Sequence, residues 1–469
     1  MTQPIDGVRL SHRVVREPAR ALPQAIDHAA VNLLAFDLDQ AERRPKAAKS
    51  GCSPCNGVHP MQTRVRTLIA VVLALILALT SLSAITERVR DPGVTDTEIR
   101  IGNVMPYSGS LEVFGAIGKA EAAYFEMINE RGGINGRKVR FISYDDKSNP
   151  STALDVTRGL VEKDDVLLMF GSFGTPGNFA VRAYLNERQV PQLFVASGDD
   201  HLSDPSLFPW TMGWQPSIRE EGRIYANYIQ AFYPGRRIVA LWQNDHFGRE
   251  LFKGLEDGLG DIARMIRVDI AYDTADEHLD THVSILKQSG AEIFVFAGAP
   301  ANAAKVVRVA ADLNWHPVFI LNHMASSVAT AQPAGPDNAL SAITAAFLKD
   351  ANDPAWKDEQ ASKDWQAFVE KYNRAGGKDD NAAVFGYAAA ETLAQVLKQC
   401  GDDLSRENVM KQAAALKDYQ GSMLLPGIKI STGPWNFRPI KHLRLIQFDG
   451  RTWQPIGDVL ETAFSNAQK

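Results

Sequence analysis

A chain of 469 residues, 45% of them hydrophobic, can bury a large core and build two to three domains of ordinary size. Its formal charge of −5 is uneven: residues 1–90 hold 12 Lys+Arg against 7 Asp+Glu, and residues 91–469 hold 38 against 48. An acidic body of this kind argues against a nucleic-acid partner.

Residues 1–60 show no sustained periodicity around Arg43-Arg44-Pro45-Lys46 and Cys52-x-x-Cys55, as expected of a disordered tail or an over-extended gene model. From Met61 the pattern changes. Arg64 and Arg66 precede an unbroken apolar stretch over 68–79, and small residues up to Ala84 follow, the three parts of a secretory signal. The stretch is short for a membrane span, which needs about 20 apolar residues. Such a signal works at a chain terminus, so Met61 is the expected start. After processing, Cys400 would be the remaining thiol and no intrachain disulfide could form. Cys52-x-x-Cys55 lacks a second pair and is assigned no function.

From Glu98 strand-like and helix-like segments alternate. Apolar runs predict strands over 99–104, 138–144, 166–170 and 192–195, with helices over 119–129, 151–163 and 178–188. The order then repeats, with strands over 237–242, 265–270, 292–297 and 318–321 and helices over 249–259, 278–289 and 301–313. Strands alternating with helices predict βαβ units, so the expected fold is α/β, two Rossmann-like lobes with parallel sheets. The stretch 210–214, small residues between bulky anchors, is the expected crossing and hinge. Further on, 356–372 and 384–399 read as helices and 443–448 with 451–455 as a hairpin around Asp449-Gly450. These pieces complete the lobes by crossing back, as 98–213 plus about 347–420 and 214–346 plus about 421–469, and several crossings make a multi-strand, stiff hinge.

Loops after the carboxyl ends of parallel strands line a ligand crevice. Here they run over 105–118, 145–150, 171–177, 196–205, 243–248, 298–300 and 322–327, and facing lobes bring them to one cleft. In the third of them Gly171, Gly174 and Gly177 spell G-x-x-G-x-x-G, followed by Asn178-Phe179. A phosphate loop needs Lys-Ser or Lys-Thr there and a dinucleotide loop G-x-G-x-x-G, so nucleotide binding is disfavoured. What remains is a turn feeding helix 178–188, whose N–H groups suit a small anion with Ser172 and Thr175 as hydroxyl donors. Glycines serving only a tight turn are the plainer alternative.

Three ordered motifs carry a family resemblance: Ile101-Gly102-Asn103-Val104-Met105-Pro106-Tyr107-Ser108-Gly109, Ile128-Asn129-Glu130-Arg131-Gly132-Gly133-Ile134-Asn135-Gly136-Arg137-Lys138-Val139 and Tyr144-Asp145-Asp146-Lys147-Ser148-Asn149-Pro150. From Glu98 onward the chain resembles the periplasmic substrate-binding proteins of branched-chain amino-acid (Leu/Ile/Val-binding) type ABC transporters. The resemblance implies a type I periplasmic binding fold that closes over a small solute, a periplasmic location, and ABC permease and ATPase subunits as partners. By position it implies that Thr175 holds the ligand carboxylate and that main-chain groups of Ala196 and Gly198 bind the ligand's head; Ser172, Phe173 and Ser197 are further candidate contacts on the same loops. Phe114 and Phe247 fall where relatives often carry Tyr and would be aromatic walls. Where amino-acid-binding relatives place an acid to pair with the ligand ammonium, Leu321-Asn322-His323-Met324-Ala325 has none, leaving Asn322 and His323 as the candidate contacts. An unpaired buried ammonium is costly, so a carboxylate with an apolar or aromatic body is the expected ligand. Asp199-Asp200 would repel it unless turned away.

Rival chemistry is weakly supported. His278 and His282 have zinc-protease spacing without the general-base Glu, and no nucleophile elbow accompanies Asp245-His246. The expected protein is a monomeric, cofactor-free binding protein and not an enzyme. The alternative is the ligand-sensing domain of a receptor or regulatory system.

Overall fold

The computed structural model describes residues 91–373 and 380–462. The expected start at Met61, the signal segment and Cys52-x-x-Cys55 lie outside the described residues.

The first lobe is built on β1 (Glu98–Met105), β2 (Lys138–Asp145), β3 (Leu168–Phe170), β4 (Gln192–Val195) and β5 (Thr211–Gly213), with α1 (Gly115–Glu130), α2 (Pro150–Glu162) and α3 (Thr175–Glu187) between them. The second uses β6 (Ile238–Gln243), β7 (Ile266–Tyr272), β8 (Ile293–Ala297), β9 (Val318–Leu321) and β10 (Ile343–Ala346). Its helices include α4 (Ile218–Phe232), α5 (His246–Leu259), α6 (Leu279–Gln288), α7 (Pro300–Asp312) and α8 (Val328–Ala334). One sheet runs β2-β1-β3-β4-β5 and the other β7-β6-β8-β9-β10, the same doubly wound order, and the pairs within each run are parallel. Strands such as β8, Ile-Phe-Val-Phe-Ala, are buried at every residue because helices cover both faces.

Helix starts are set by side chains that accept the free N–H groups of the first turn. Asn149 accepts from Ser151 and Thr152 ahead of α2, Ser217 from Glu220 ahead of α4, and Asp245 from Gly248 ahead of α5.

The stretch expected to form the hinge is only partly one. Thr211–Gly213 is an edge strand of the first sheet, and Trp214, fully buried, donates Nε1–H to Thr392 Oγ1 at 3.1 Å before the chain crosses. Two further crossings run side by side: Leu425 N donates to Phe347 O, and Lys349 N to Met423 O, each at 2.9 Å. The helices α9 (Gln360–Tyr372) and α10 (Asn381–Cys400) then pack on the first lobe, where Tyr387 meets Tyr124 edge-on at 5.1 Å. Finally β11 (His442–Phe448) and β12 (Trp453–Glu461) form the expected hairpin and add antiparallel strands beside β10.

Candidate ligand-binding cleft

The carboxyl ends of both sheets open onto one cleft of about 740 Å³, a size suited to a small organic ligand. The first lobe lends it Phe114, Phe173, Thr175, Ala196 and Ser197, and the second Phe247, Pro300 and His323.

The glycine loop builds the first wall. Gly171 has φ +65° and passes so close to α1 that a Cβ there would lie 2.0 Å from Glu121 Oε1. Gly174, at φ +92°, turns the chain into α3, which starts at Thr175, three residues earlier than the expected 178. No side chain caps this first turn. Thr175 Oγ1 lies 2.7 Å from Ser197 Oγ, so hydroxyls from two loops stand together at a helix N-terminus. Beside them Phe173 forms a bridge with Ala196 and stacks on Phe114, ring centroids 4.3 Å apart at 15°.

Three expected contacts are turned elsewhere. Ser172 Oγ accepts Val104 N–H at 3.2 Å inside the sheet. Gly198 faces the crossing: its carbonyl accepts Ile218 N–H at 3.0 Å, and a Cβ would lie 2.3 Å from Pro216 O. Asn322, fully buried, accepts Gly298 N–H on Oδ1 at 2.9 Å and braces the second lobe from behind. None of the three lines the cleft.

The segment 321–325 carries no acid, yet a carboxylate from another helix reaches His323 in the second wall. Glu221, on the unexpected helix α4, places Oε2 2.6 Å from His323 Nδ1 and accepts His323 N–H on Oε1 at 2.7 Å. Tyr225, one turn on, sets its hydroxyl 2.8 Å from the same Oε1, and burial holds that phenol well above its ordinary pKa. The S-x-x-E run Ser217-Ile218-Arg219-Glu220 was the available sign of this helix start. Two acids line the cleft itself, and both cap helices: Asp245 as above, and Asp380, which accepts Ala382 N–H at 2.8 Å.

Asp199 and Asp200 lie off the cleft. Asp199 Oδ1 is 2.9 Å from His201 Nδ1 with Oδ2 3.7 Å from His246 of the second lobe, and Asp200 pairs with Arg438 at 3.0 Å. Burial pushes the Asp200 carboxyl up while Arg438 opposes the shift. Of the zinc-like pair, His278 caps α6 by position, and His282 Nε2 lies 2.8 Å from Asp276.

With this geometry in place, residues 98–452 match the periplasmic binding protein family. The chain belongs to that family. A curated relative, Leu/Ile/Val-binding protein homolog 1 of Brucella suis, is 22% identical over 341 residues, 70% of this chain and 89% of the relative. A branched-chain amino-acid ABC transporter structure from Thermus thermophilus with bound valine superposes with TM-score 0.71 at 16% identity, covering 79% of this chain and 98% of that one. A solute-binding protein of an ABC transporter from Rhodopseudomonas palustris in complex with 3,4-dihydroxybenzoic acid gives TM-score 0.66 at 16% identity, covering 79% and 99%. The fold of this periplasmic binding protein is therefore the type I arrangement, and the relatives compared are substrate-binding proteins. Among the described residues no helix is long and apolar enough to cross a membrane, and no group of three or more His, Cys, Asp or Glu could hold a metal.

Proposed function

We propose that the protein is the periplasmic solute-binding component of an ABC importer, exported by the signal segment from Met61 and delivering its ligand to permease and ATPase subunits. Its ligand is a small carboxylate with an aromatic or branched apolar body, enclosed when lobe 98–213 plus 347–420 closes on lobe 214–346 plus 421–469. The observation that carries this reading is the hydroxyl pair Thr175–Ser197, set beside the stacked Phe114 and Phe173 at the open first turn of α3. Hydroxyls and helix N–H groups there fit a carboxylate, and the rings next to them fit an apolar body.

Relatives of this fold are described with bound valine and with bound 3,4-dihydroxybenzoic acid. The acids in and behind this cleft favour the second kind of ligand. Glu221 serves His323 and Tyr225, Asp245 serves Gly248 and Gln243, and Asp380 serves Ala382, so none offers an ammonium two free oxygens. Ligand contacts on both lobes supply the differential affinity that closure requires.

Isothermal titration of the purified mature protein with benzoate, 4-methylpentanoate and leucine tests the reading. Binding of the two simple acids ahead of leucine is expected. Tight leucine binding without either acid would overturn it.

A further inference from the structure

His323 holds one ring nitrogen in reserve. It begins the short turn after β9, its side chain is 10% exposed, and it lines the cleft between Phe247 and Phe347, with ring centroids 6.5 and 5.8 Å away. Nδ1 is committed to Glu221, whose side chain is 2% exposed. Among the described residues, His323 Nε2 has no hydrogen-bond partner, while Glu221 has no other cationic partner within ion-pair distance. Glu221 fixes the ring through Nδ1, and Nε2 is the nitrogen left to face the cleft.

We infer that His323, held in place by Glu221, hydrogen-bonds through Nε2 to a hydroxyl on the body of the ligand. The cleft then selects carboxylates bearing a hydroxyl over simple apolar acids. Glu221 is the positioning residue and His323 the specificity contact. This rests on the carboxylate reading above and narrows it: one end of the ligand sits at Thr175 and Ser197 in the first lobe, and its hydroxyl reaches His323 in the other.

The charged and titratable groups around His323 are Glu221 and Tyr225 from α4, Asp245 ahead of α5, and Lys305 and Arg308 from α7, which line the same cleft or pack on the turn. Strand β10, Ile-Thr-Ala-Ala, brings none. Lys305 pairs with Asp280 at 3.2 Å.

The test is calorimetric binding of benzoate, 3-hydroxybenzoate, 4-hydroxybenzoate and leucine to the mature protein and to His323→Leu and Glu221→Gln. At least one hydroxybenzoate is expected to bind about tenfold tighter than benzoate, the scale of one hydrogen bond. That advantage, read as the ratio of hydroxybenzoate to benzoate affinity within one protein, should vanish in His323→Leu. It should also shrink in Glu221→Gln, where the ring has lost the carboxylate that orients it. The ratio in His323→Leu keeps the test decisive if Glu221→Gln does not fold. Benzoate binding with no hydroxyl advantage, or an advantage indifferent to His323→Leu, overturns this inference and leaves the carboxylate reading standing. Leucine binding alone, or no binding of any acid, overturns both.

Discussion

Phe114, at the mouth of α1, and Phe173, in the glycine loop, stack with ring centroids 4.3 Å apart, joining two separate loops of the first lobe into one aromatic wall. Phe114 is buried and its loss opens the cleft. Phe114→Ala should remove the stacking contribution of about 0.5 to 1.5 kcal/mol from the binding of an aromatic acid. Benzoate titrations of the two proteins check this, and an unchanged affinity would take the pair out of the site.

Thr175→Ala deletes the hydroxyl that stands 2.7 Å from Ser197 Oγ. Loss of a donor to a buried carboxylate should weaken binding by about 1 to 3 kcal/mol. Thr175→Ser keeps an oxygen on Cβ and should bind close to wild type. Melting curves of both variants should stay near the parent, because the helix start does not depend on a side-chain cap.

Gly171 is where the loop and α1 meet most closely. Gly171→Ala should cost about 1 to 2 kcal/mol for a left-handed backbone, and about 1 to 3 kcal/mol more for driving a methyl into the Glu121 carboxyl. Denaturant unfolding reads the sum. Adding Glu121→Ala should recover the second part and not the first.

Glu121 is fully buried, with Oε2 accepting Asn103 Nδ2–H at 3.0 Å and Oε1 unpartnered, and burial holds its carboxyl well above the ordinary range. The folded protein therefore keeps a proton that the unfolded chain releases above about pH 4.3. Stability falls as pH rises through that window, by roughly 1.4 kcal/mol per pH unit from this group. Glu121→Gln should gain on wild type as pH is raised from 4 to 7. A gain that shrinks with pH would show the carboxyl is charged in the fold.

Much of the architecture was legible because its strands are short, apolar and covered on both faces, so a run such as Val318–Leu321 announces itself without help from its neighbours. Helix α4 was not legible. Its Arg219-Glu220-Glu221 run looks like a solvated face, yet Glu220 and Glu221 are buried against Arg223 and His323. The site followed the same division. Thr175, Phe173, Ser197 and Ala196 lie on loops adjacent in the sheet, so strand order alone brings them together. Glu221 and His323 stand 102 residues apart and meet through helix packing that no local pattern encodes. Ser172, Gly198 and Asn322 do not line the cleft because residues beside a ligand loop are just as readily spent on bracing it.

The central claim is that the cleft grips a carboxylate at Thr175 and Ser197. The most direct measurement compares benzoate with benzamide, equal in shape and different in charge, by titration calorimetry on the mature protein. The account predicts that benzoate binds at least about tenfold more tightly and that Thr175→Ala removes most of the difference. Equal affinity for the two, or a preference for the amide, would contradict it.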